Sequence, residues 1–166
     1  MSDAKALQDF NKASPPQPGT LTKEGIYIGR LTGKDRVESD YFAAPTDVQD
    51  SSGIRIPLCF YDAEKYAKNA ITLGHNDWAI PAGFEDVNGA PDVLNAMFNS
   101  KSKRAFKGTF DETGSDPVGR YLSSSPFSYN FHDDFAKTQE FCDGDRGRDS
   151  RRYGGHSVRL VRSLAV

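Results

Sequence analysis

Residues 119–125 read Gly-Arg-Tyr-Leu-Ser-Ser-Ser, and residues 157–162 read Ser-Val-Arg-Leu-Val-Arg. Aromatic and β-branched residues favour strands, so we expect one strand to open at Tyr121 and another to occupy residues 157–162. Between them, residues 136–142 read Ala-Lys-Thr-Gln-Glu-Phe-Cys. Their alternation between two faces predicts a third strand. The sequence therefore predicts that this part of the chain forms short strands joined by long connections.

The size and charge of the chain indicate one globular domain. It has 166 residues and a formal net charge of -2, which argues against nucleic acid as its main partner. No window approaches the ~20 apolar residues of a membrane helix, so we expect no membrane insertion. Residues 1–10 are polar, without the apolar stretch of a signal peptide, which predicts a chain with no secretion signal of its own.

Two cysteines, Cys59 and Cys142, are too few for a disulfide scaffold. They could pair across the core. The interpretation we favour is that both are buried as small apolar side chains.

The amino-terminal segment divides from the rest of the chain by composition. Residues 3–12 could form a short amphipathic helix, and residues 13–19 are rich in proline, which excludes a helix or a central strand. We therefore predict an arm over residues 1–24 and a folded domain over residues 25–166. The arm is either a frayed terminus or a segment that becomes ordered by docking on a larger assembly.

The domain should open with a hairpin formed by residues 25–29 and 40–45. Apolar residues at helical spacing then predict a first helix over residues 60–73, ended by Gly74, and a second helix whose first turn contains Pro91. The positions expected to face the core are Ala63, Tyr66, Ala67, Ala70 and Ile71 in the first helix and Val93, Leu94, Met97 and Phe98 in the second. The predicted class is α+β, with two helices packed on short, mostly antiparallel strands.

Four motifs follow one another along the chain. They are Gly-His-Asn-Asp-Trp-Ala-Ile-Pro at 74–81, Tyr-Leu-Ser-Ser at 121–124, Phe-Cys-Asp-Gly at 141–144 and Val-Arg-Leu-Val-Arg at 158–162. In this order they resemble the Lcl carboxy-terminal-type domain family, which is frequent in phage and bacterial surface proteins. The resemblance extends over residues 23–163. It implies a C-type lectin-like fold, in which the amino- and carboxy-terminal strands pair.

The chain also departs from the family pattern. Ala82 stands where the family has a Thr that caps the second helix, and residues 83–90 are an insertion. Leu122 and Lys137 stand where the family carries aromatic residues. These changes remove aromatic surface that a sugar-stacking site would use.

The best candidate for a binding site is the Arg- and Asp-rich loop at 143–153 together with the aromatic residues before it. Arginines grip carboxylates and phosphates through planar forks, and aromatic side chains supply rigid contact surface. The predicted ligand-binding residues are Tyr121, Phe127, Tyr129, Phe131, Arg146, Arg148, Arg151, Arg152 and Tyr153. The alternative is a solvated loop in which the Arg and Asp charges offset one another.

The other candidate sites are weaker. Trp78 could stack on a sugar, but its place just after a helix favours a core residue with its ring N–H bonded to the backbone. Asp143, Asp145 and Asp149 could offer oxygens to calcium, but EF-hand spacing is missing. The histidines His75, His132 and His156 have no metal spacing. No nucleophile motif is legible, so we predict neither a metal, a cofactor nor an enzyme.

These observations and the resemblance predict a non-enzymatic phage-type virion surface protein, such as a tail-fibre tip, a spike or a capsid decoration. It would assemble in the host cytoplasm, attach to other virion proteins through residues 1–24, and bind a cell-surface glycan or protein through its 119–153 face. One alternative is a structural cement subunit that forms a homo-oligomer. Another is an adhesin on a bacterial cell surface.

Overall fold

A computed structural model of the chain describes residues 14–114, 119–129, 132–152 and 154–166. Within these ranges the chain forms two α-helices and two antiparallel sheets, which confirms the predicted α+β class. The helices are α1 (Phe60–Asn69) and α2 (Val93–Ser100). The strands are β1 (Leu21–Thr22), β2 (Gly25–Thr32), β3 (Glu38–Ala43), β4 (Arg120–Tyr129), β5 (His132–Glu140), β6 (Arg146–Ser150) and β7 (Val161–Ala165). None of the helices in the described ranges has the length and apolar character needed to cross a membrane.

The first sheet has the order β1-β2-β3-β7. The predicted hairpin is confirmed as β2 and β3, which pair antiparallel with Ile26 opposite Ala43. The carboxy-terminal strand β7 pairs antiparallel with β3, and Arg162 lies opposite Phe42. The strand predicted for residues 157–162 therefore begins later, at Val161. The residues before it instead form single bridges, such as the one between Ser157 and Tyr121 on β4.

The second sheet has the order β4-β5-β6. Its central strand contains most of the strand predicted for residues 136–142. The prediction of a loop over residues 143–153 is wrong, because β6 occupies residues 146–150 within it. A tight turn precedes β6. The N–H of Gly144, at φ 82°, donates to the carbonyl of Glu140, and the N–H of Glu140 donates to the carbonyl of Asp145. The charged residues of β6 were interpreted as a solvated loop. Charged residues are also typical of edge strands, so they do not exclude a strand here.

The two helices pack into two clusters of buried side chains. α2 contributes Val93, Leu94 and Met97 to a cluster that joins both sheets, whose other members include Ile26, Ile28, Phe106, Phe110, Tyr121 and Phe141. α1 contributes Phe60, Ala63 and Ala67 to the second cluster, with Trp78, Leu122, Ala136 and Val158. Trp78 is 4% exposed, and its ring N–H lies 3.2 Å from the carbonyl of Thr72 and 3.1 Å from that of His75. The prediction that Trp78 is a core residue is thus confirmed.

α1 begins where it was predicted but ends at Asn69, four residues early. Thr72 and His75 exchange two backbone hydrogen bonds of 3.0 Å, and the residues between them, Leu73 and Gly74, both have positive φ (54° and 77°). This tight turn replaces the last helical turn. Tyr66 and Ile71, predicted to face the core, are in fact 41% and 77% exposed.

α2 agrees better with its prediction. Pro91 comes just before the helix, and the carboxylate of Asp92 accepts the N–H of Asn95 at 3.0 Å, which caps the first turn. Val93, Leu94 and Met97 are buried as expected.

Both cysteines are unpaired; Cys59 is partly buried and Cys142 is exposed. The prediction that both are buried is therefore wrong, and the alternative disulfide does not form. Part of the predicted arm belongs to the folded domain, since Gly19 donates to the carbonyl of Tyr27 at 2.8 Å and accepts from Ala105 at 2.9 Å. The short helix predicted for residues 3–12 lies outside the described residues.

Candidate functional site

The pairing of β5 with β6 places two of the predicted arginines on one face of the second sheet. Arg146 lies opposite Gln139, and Arg148 lies opposite Lys137. Side chains two residues apart on a strand point to the same side. At one end of this side α2 covers the sheet, and Gln139 donates to the side-chain oxygen of Asn95 at 2.9 Å. The remainder carries the candidate site.

Each of these arginines stacks on an aromatic ring. The guanidinium carbon of Arg146 lies 5.2 Å from the ring centre of Phe84, and that of Arg148 lies 4.8 Å from the ring centre of Phe127. Cation–π contacts of this kind restrain the guanidinium beside the ring, and its N–H groups can still donate to a ligand. We call Phe84, Phe127, Lys137, Arg146 and Arg148 the cationic face.

Lys137 lies beneath the two arginines and is only 6% exposed. Its ammonium donates to the carbonyls of Phe84 and Glu85, at 2.7 and 2.6 Å, and lies 4.7 Å from the centre of the Phe84 ring. Among the described residues, none of its interactions is an ion pair with a carboxylate. Its direct contacts within the part of the chain that the structure describes are therefore carbonyl dipoles and a ring face, and the carboxylate of Asp92 acts on it from a greater distance.

The segment that supplies Phe84 is the insertion at residues 83–90. It is fixed to β4 by Ser125, whose hydroxyl accepts the N–H of Gly83 at 2.9 Å and donates to Asp86 at 2.7 Å. Gly83 is needed at this point because a Cβ atom would approach the side chain of Ser123 to 2.7 Å. The insertion is thus an ordered part of the site.

One carboxylate borders the cationic face. Asp92 lies 3.3 Å from Arg146, whose side chain keeps 46% of its surface exposed. Burial raises the pKa of Asp92 above the ordinary carboxyl value, although the N–H of Asn95 and the charges of Arg146 and Lys137 oppose this. Arg146 therefore pairs with Asp92 while nearly half of its side chain remains accessible to solvent.

Arg151 and Arg152 lie over the start of α1 instead. The guanidinium carbon of Arg151 is 4.6 Å from the centre of the Phe60 ring. Arg152 pairs with Asp134 at 2.8 Å, and the hydroxyl of Tyr61 donates to the same carboxylate at 2.7 Å. The four predicted arginines therefore form two separate groups.

The structure removes Tyr121 from the predicted ligand-binding set. Its side chain has no exposed surface, so it cannot touch a ligand. The hydroxyl donates to Asp47 at 2.5 Å and accepts the N–H of Asp111 at 2.8 Å. Burial, followed by the Asp47 carboxylate, raises the pKa of Tyr121 well above its usual range. The side chain of Tyr129, and all of Phe131 and Tyr153, lie outside the described residues.

The carboxylates considered for calcium do not come together. Asp143 groups with Glu140 and Cys142, whose ligand atoms all lie within 4.8 Å of one another. Asp149 instead lies 3.4 Å from Arg120 and 3.3 Å from the ring of His156. Partial shielding of the thiol from water by its neighbours, followed by the charge of Asp143, raises the pKa of Cys142.

Sequence reasoning missed Phe84 and Lys137 as parts of one site. The signals were present separately, as an insertion and as a lysine in place of an aromatic residue. The contact between them spans 53 positions, so only the folded chain brings them together.

A scan of the sequence against protein-family models finds no match, and a search of the curated proteins likewise finds no significant one. The resemblance to the Lcl-type family thus depends on the four motifs, and its consequences for function are proposals.

Proposed function

We propose that this chain is a non-enzymatic binding protein of a phage-type virion surface, with a C-type lectin-like fold, that holds a host-surface ligand on its cationic face. The observation that carries the proposal is the pair of exposed guanidiniums, Arg146 and Arg148, each stacked on a ring with Lys137 buried beneath them. Side chains fixed in this way lose little freedom when a ligand binds, so their contacts contribute more affinity.

The arrangement of the chain supports the lectin-like fold. The amino-terminal hairpin and the carboxy-terminal strand share one sheet, which brings the two ends of the domain together. The cationic face belongs to the second sheet, whose three strands include neither the first nor the last strand of the domain. Ligand contacts on a region away from the termini suit a domain that is attached to a particle by one end.

The chemistry of the face favours recognition over catalysis. Arginine and lysine remain charged near neutral pH, and guanidiniums form paired hydrogen bonds with carboxylates and phosphates. The neighbouring carboxylate of Asp92 already caps α2 and pairs with Arg146.

Two measurements test the proposal. Immunogold labelling of purified particles should place the protein on the virion, and labelled protein should bind host cells. The double variant R146S/R148S should weaken cell binding about tenfold, as expected for arginines central to an interface. The matched control K34S/K107S removes the same charge from two exposed lysines and should bind like the unaltered protein. Absence from particles, or equal binding by both double variants, would refute the proposal.

The cement-subunit alternative has one observation in its favour. Tyr66, Ile71 and Leu73 expose 41%, 77% and 45% of their surface around the end of α1. Tyr66 and Ile71 also line a 430 Å³ concavity along that helix. Exposed apolar groups of this kind suit packing between subunits. If light scattering finds an oligomer that Y66D/I71D dissociates, and no ligand binds, this alternative replaces the binding function.

A further inference from the structure

Two positive charges face each other across the second sheet. Lys137 and Arg148 are directly opposite on neighbouring antiparallel strands. The N–H of Arg151 donates to Asp134 and that of Glu140 to Asp145. Because hydrogen-bonded positions alternate along such a ladder, Lys137 and Arg148 form a non-hydrogen-bonded pair, in which side chains lie closest. Like charges in such a pair destabilise a sheet.

Burial adds to this unfavourable placement. An ammonium removed from water loses its hydration, and the direct contacts of Lys137 within the described residues are two carbonyls and one ring face, with no paired carboxylate. An apolar residue at this position would avoid both penalties. Positions that break a local rule of stability in this way are expected at functional sites.

The edge of the sheet beside these charges can take another strand. Within the described residues, β6 has a neighbouring strand on one side only. Its odd-numbered residues bond to β5, so the backbone N–H and C=O groups of Arg146 and Arg148 point away from the sheet. Edge strands of this kind accept extended peptides, which pair with them through main-chain hydrogen bonds.

We propose that an acidic, extended segment of a partner protein adds to β6 as a further strand, with its carboxylates opposite Arg146 and Arg148. This inference rests on the proposed function, for which it names the ligand class. The two arginines are ~6.6–6.8 Å apart along the strand, so acidic residues at every second position of the segment match them. Opposite charges facing each other across strands stabilise the pairing, and Lys137 adds to the attraction from beneath.

The structure favours this occupant over two others. A second copy of β6 would place arginines against arginines, and like charges opposite each other disfavour that pairing. A glycan or a nucleic acid could neutralise the arginines but cannot continue the ladder of backbone hydrogen bonds. The carboxylate of Asp92, 3.3 Å from Arg146, demonstrates that this face accommodates an acidic side chain.

The test uses the full chain and a blocked peptide of about eight residues in which Glu alternates with Thr, a usual strand length. Isothermal titration calorimetry at low salt should detect binding that weakens at high salt. R146S/R148S should weaken it about tenfold. K34S/K107S should leave it unchanged. D92N should strengthen binding about two- to threefold, because asparagine still caps α2 while the competing charge on Arg146 is gone.

A second peptide separates strand addition from simple charge attraction. It has the same sequence, with methyl groups on the backbone nitrogens that would face β6. Strand addition requires those N–H groups, so methylation should abolish binding. Equal binding of the two peptides, or tighter binding of heparin or duplex DNA than of the unmethylated peptide, would overturn the inference.

The two proposals fail in different ways. If the protein is on particles and binds host cells through Arg146 and Arg148 but ignores the acidic peptide, the inference fails and the proposed function stands. If the peptide binds as described and the protein is absent from particles, the proposed function fails and the inference stands.

Discussion

Arg159 has no exposed surface, and its charge is held by a set of inward-facing acceptors. It donates to the carboxylate of Asp47 at 2.8 Å and to the carbonyl of Thr109 at 2.6 Å, and it lies 4.1 Å from the centre of the Phe110 ring. Burial lowers the pKa of Arg159, although the carboxylate of Asp47 opposes this. Arg159 thus connects the parts of the chain around Asp47 and Thr109, which lie far from it and from each other in the sequence.

We expect R159M to destabilise the protein by ~3–5 kcal/mol, the range for breaking a buried ion pair. The loss arises because Asp47 stays buried while one of its partners disappears. Urea unfolding measures it. R55M is the matched control, since Arg55 also bonds Asp47, at 2.7 Å, but keeps 31% of its side chain exposed. Its effect should be less than half as large, and equal losses would contradict the importance of burial here.

A variant of Tyr121 tests whether this side chain belongs to the core and not to the ligand-binding surface. Y121F removes a hydroxyl that donates to Asp47 and accepts from Asp111, so we expect a loss of about 1–3 kcal/mol. Binding through the cationic face should not change. A variant with an unaltered melting temperature and weaker binding would return Tyr121 to the ligand-binding set.

Helices and strands were predicted correctly where the residues that indicate them lie close together in the sequence. Pro91 followed by apolar residues at helical spacing allowed α2 to be predicted, because the start signal and the apolar stripe lie within a few residues of each other. The cap that Asp92 provides was not predicted. α1 lost its last turn to Leu73, whose positive φ has no signal in its own residue type. The strand β6 was hidden by its charges. The site itself depends on contacts between Phe84 and strands far along the chain, which no local pattern records.

One ion-pair network connects β7 to the start of the first sheet. Arg162, on β7, donates to Asp77 at 2.7 and 3.0 Å and also bonds the carboxylate of Glu24, just before β2. The hydrogen bond from Arg162 lowers the pKa of Asp77 below its ordinary value. An acid with a lowered folded pKa stabilises the fold at pH above its unfolded value of about 3.9. That contribution is lost as the pH falls through the folded value.

D77N should therefore have a lower melting temperature than the unaltered protein at pH 7, and the difference should close in acid, as the pH falls below the unfolded value of about 3.9 and through the lower folded value. Calorimetric melts across this range measure it. E64Q is the control, because Glu64 forms only an exposed pair with Lys68 at 3.4 Å and should change little at any pH. A difference for D77N that persists unchanged in acid would mean that the hydrogen-bond geometry matters and the charge does not.

For the whole molecule, we expect excess EDTA to leave the melting temperature and ligand binding unaltered. The carboxylate of Asp149 lies against Arg120 and His156, and that of Asp143 accepts the N–H of Asp145 at 2.8 Å, so both have partners without a cation. Calcium requires six to eight oxygens. A melting temperature that falls with EDTA and recovers with calcium would point to a metal near Glu140 and Asp143.

The structure allows a more specific test of the predicted docking role of the amino-terminal arm, because it indicates which arm residues belong to the folded domain. Gly19 and Thr20 exchange backbone hydrogen bonds with Tyr27, so the folded domain includes residues that were assigned to the arm. Deleting residues 1–13 removes none of the contacts described here. Deleting residues 1–20 removes the bonds to Tyr27.

We expect the protein lacking residues 1–13 to unfold at nearly the same denaturant concentration as the full chain and to keep its ligand binding. It should nevertheless fail to join particles, because the removed segment is polar with few apolar residues, and such a segment gains order by packing on a partner. The deletion of residues 1–20 is the control that should unfold earlier. Particle incorporation is measured by co-sedimentation with assembled virions. If the protein lacking residues 1–13 still enters particles at the normal level, the arm is a frayed end and attachment occurs through the domain. The exposed apolar side chains around the end of α1 would then be the first surface to mutate.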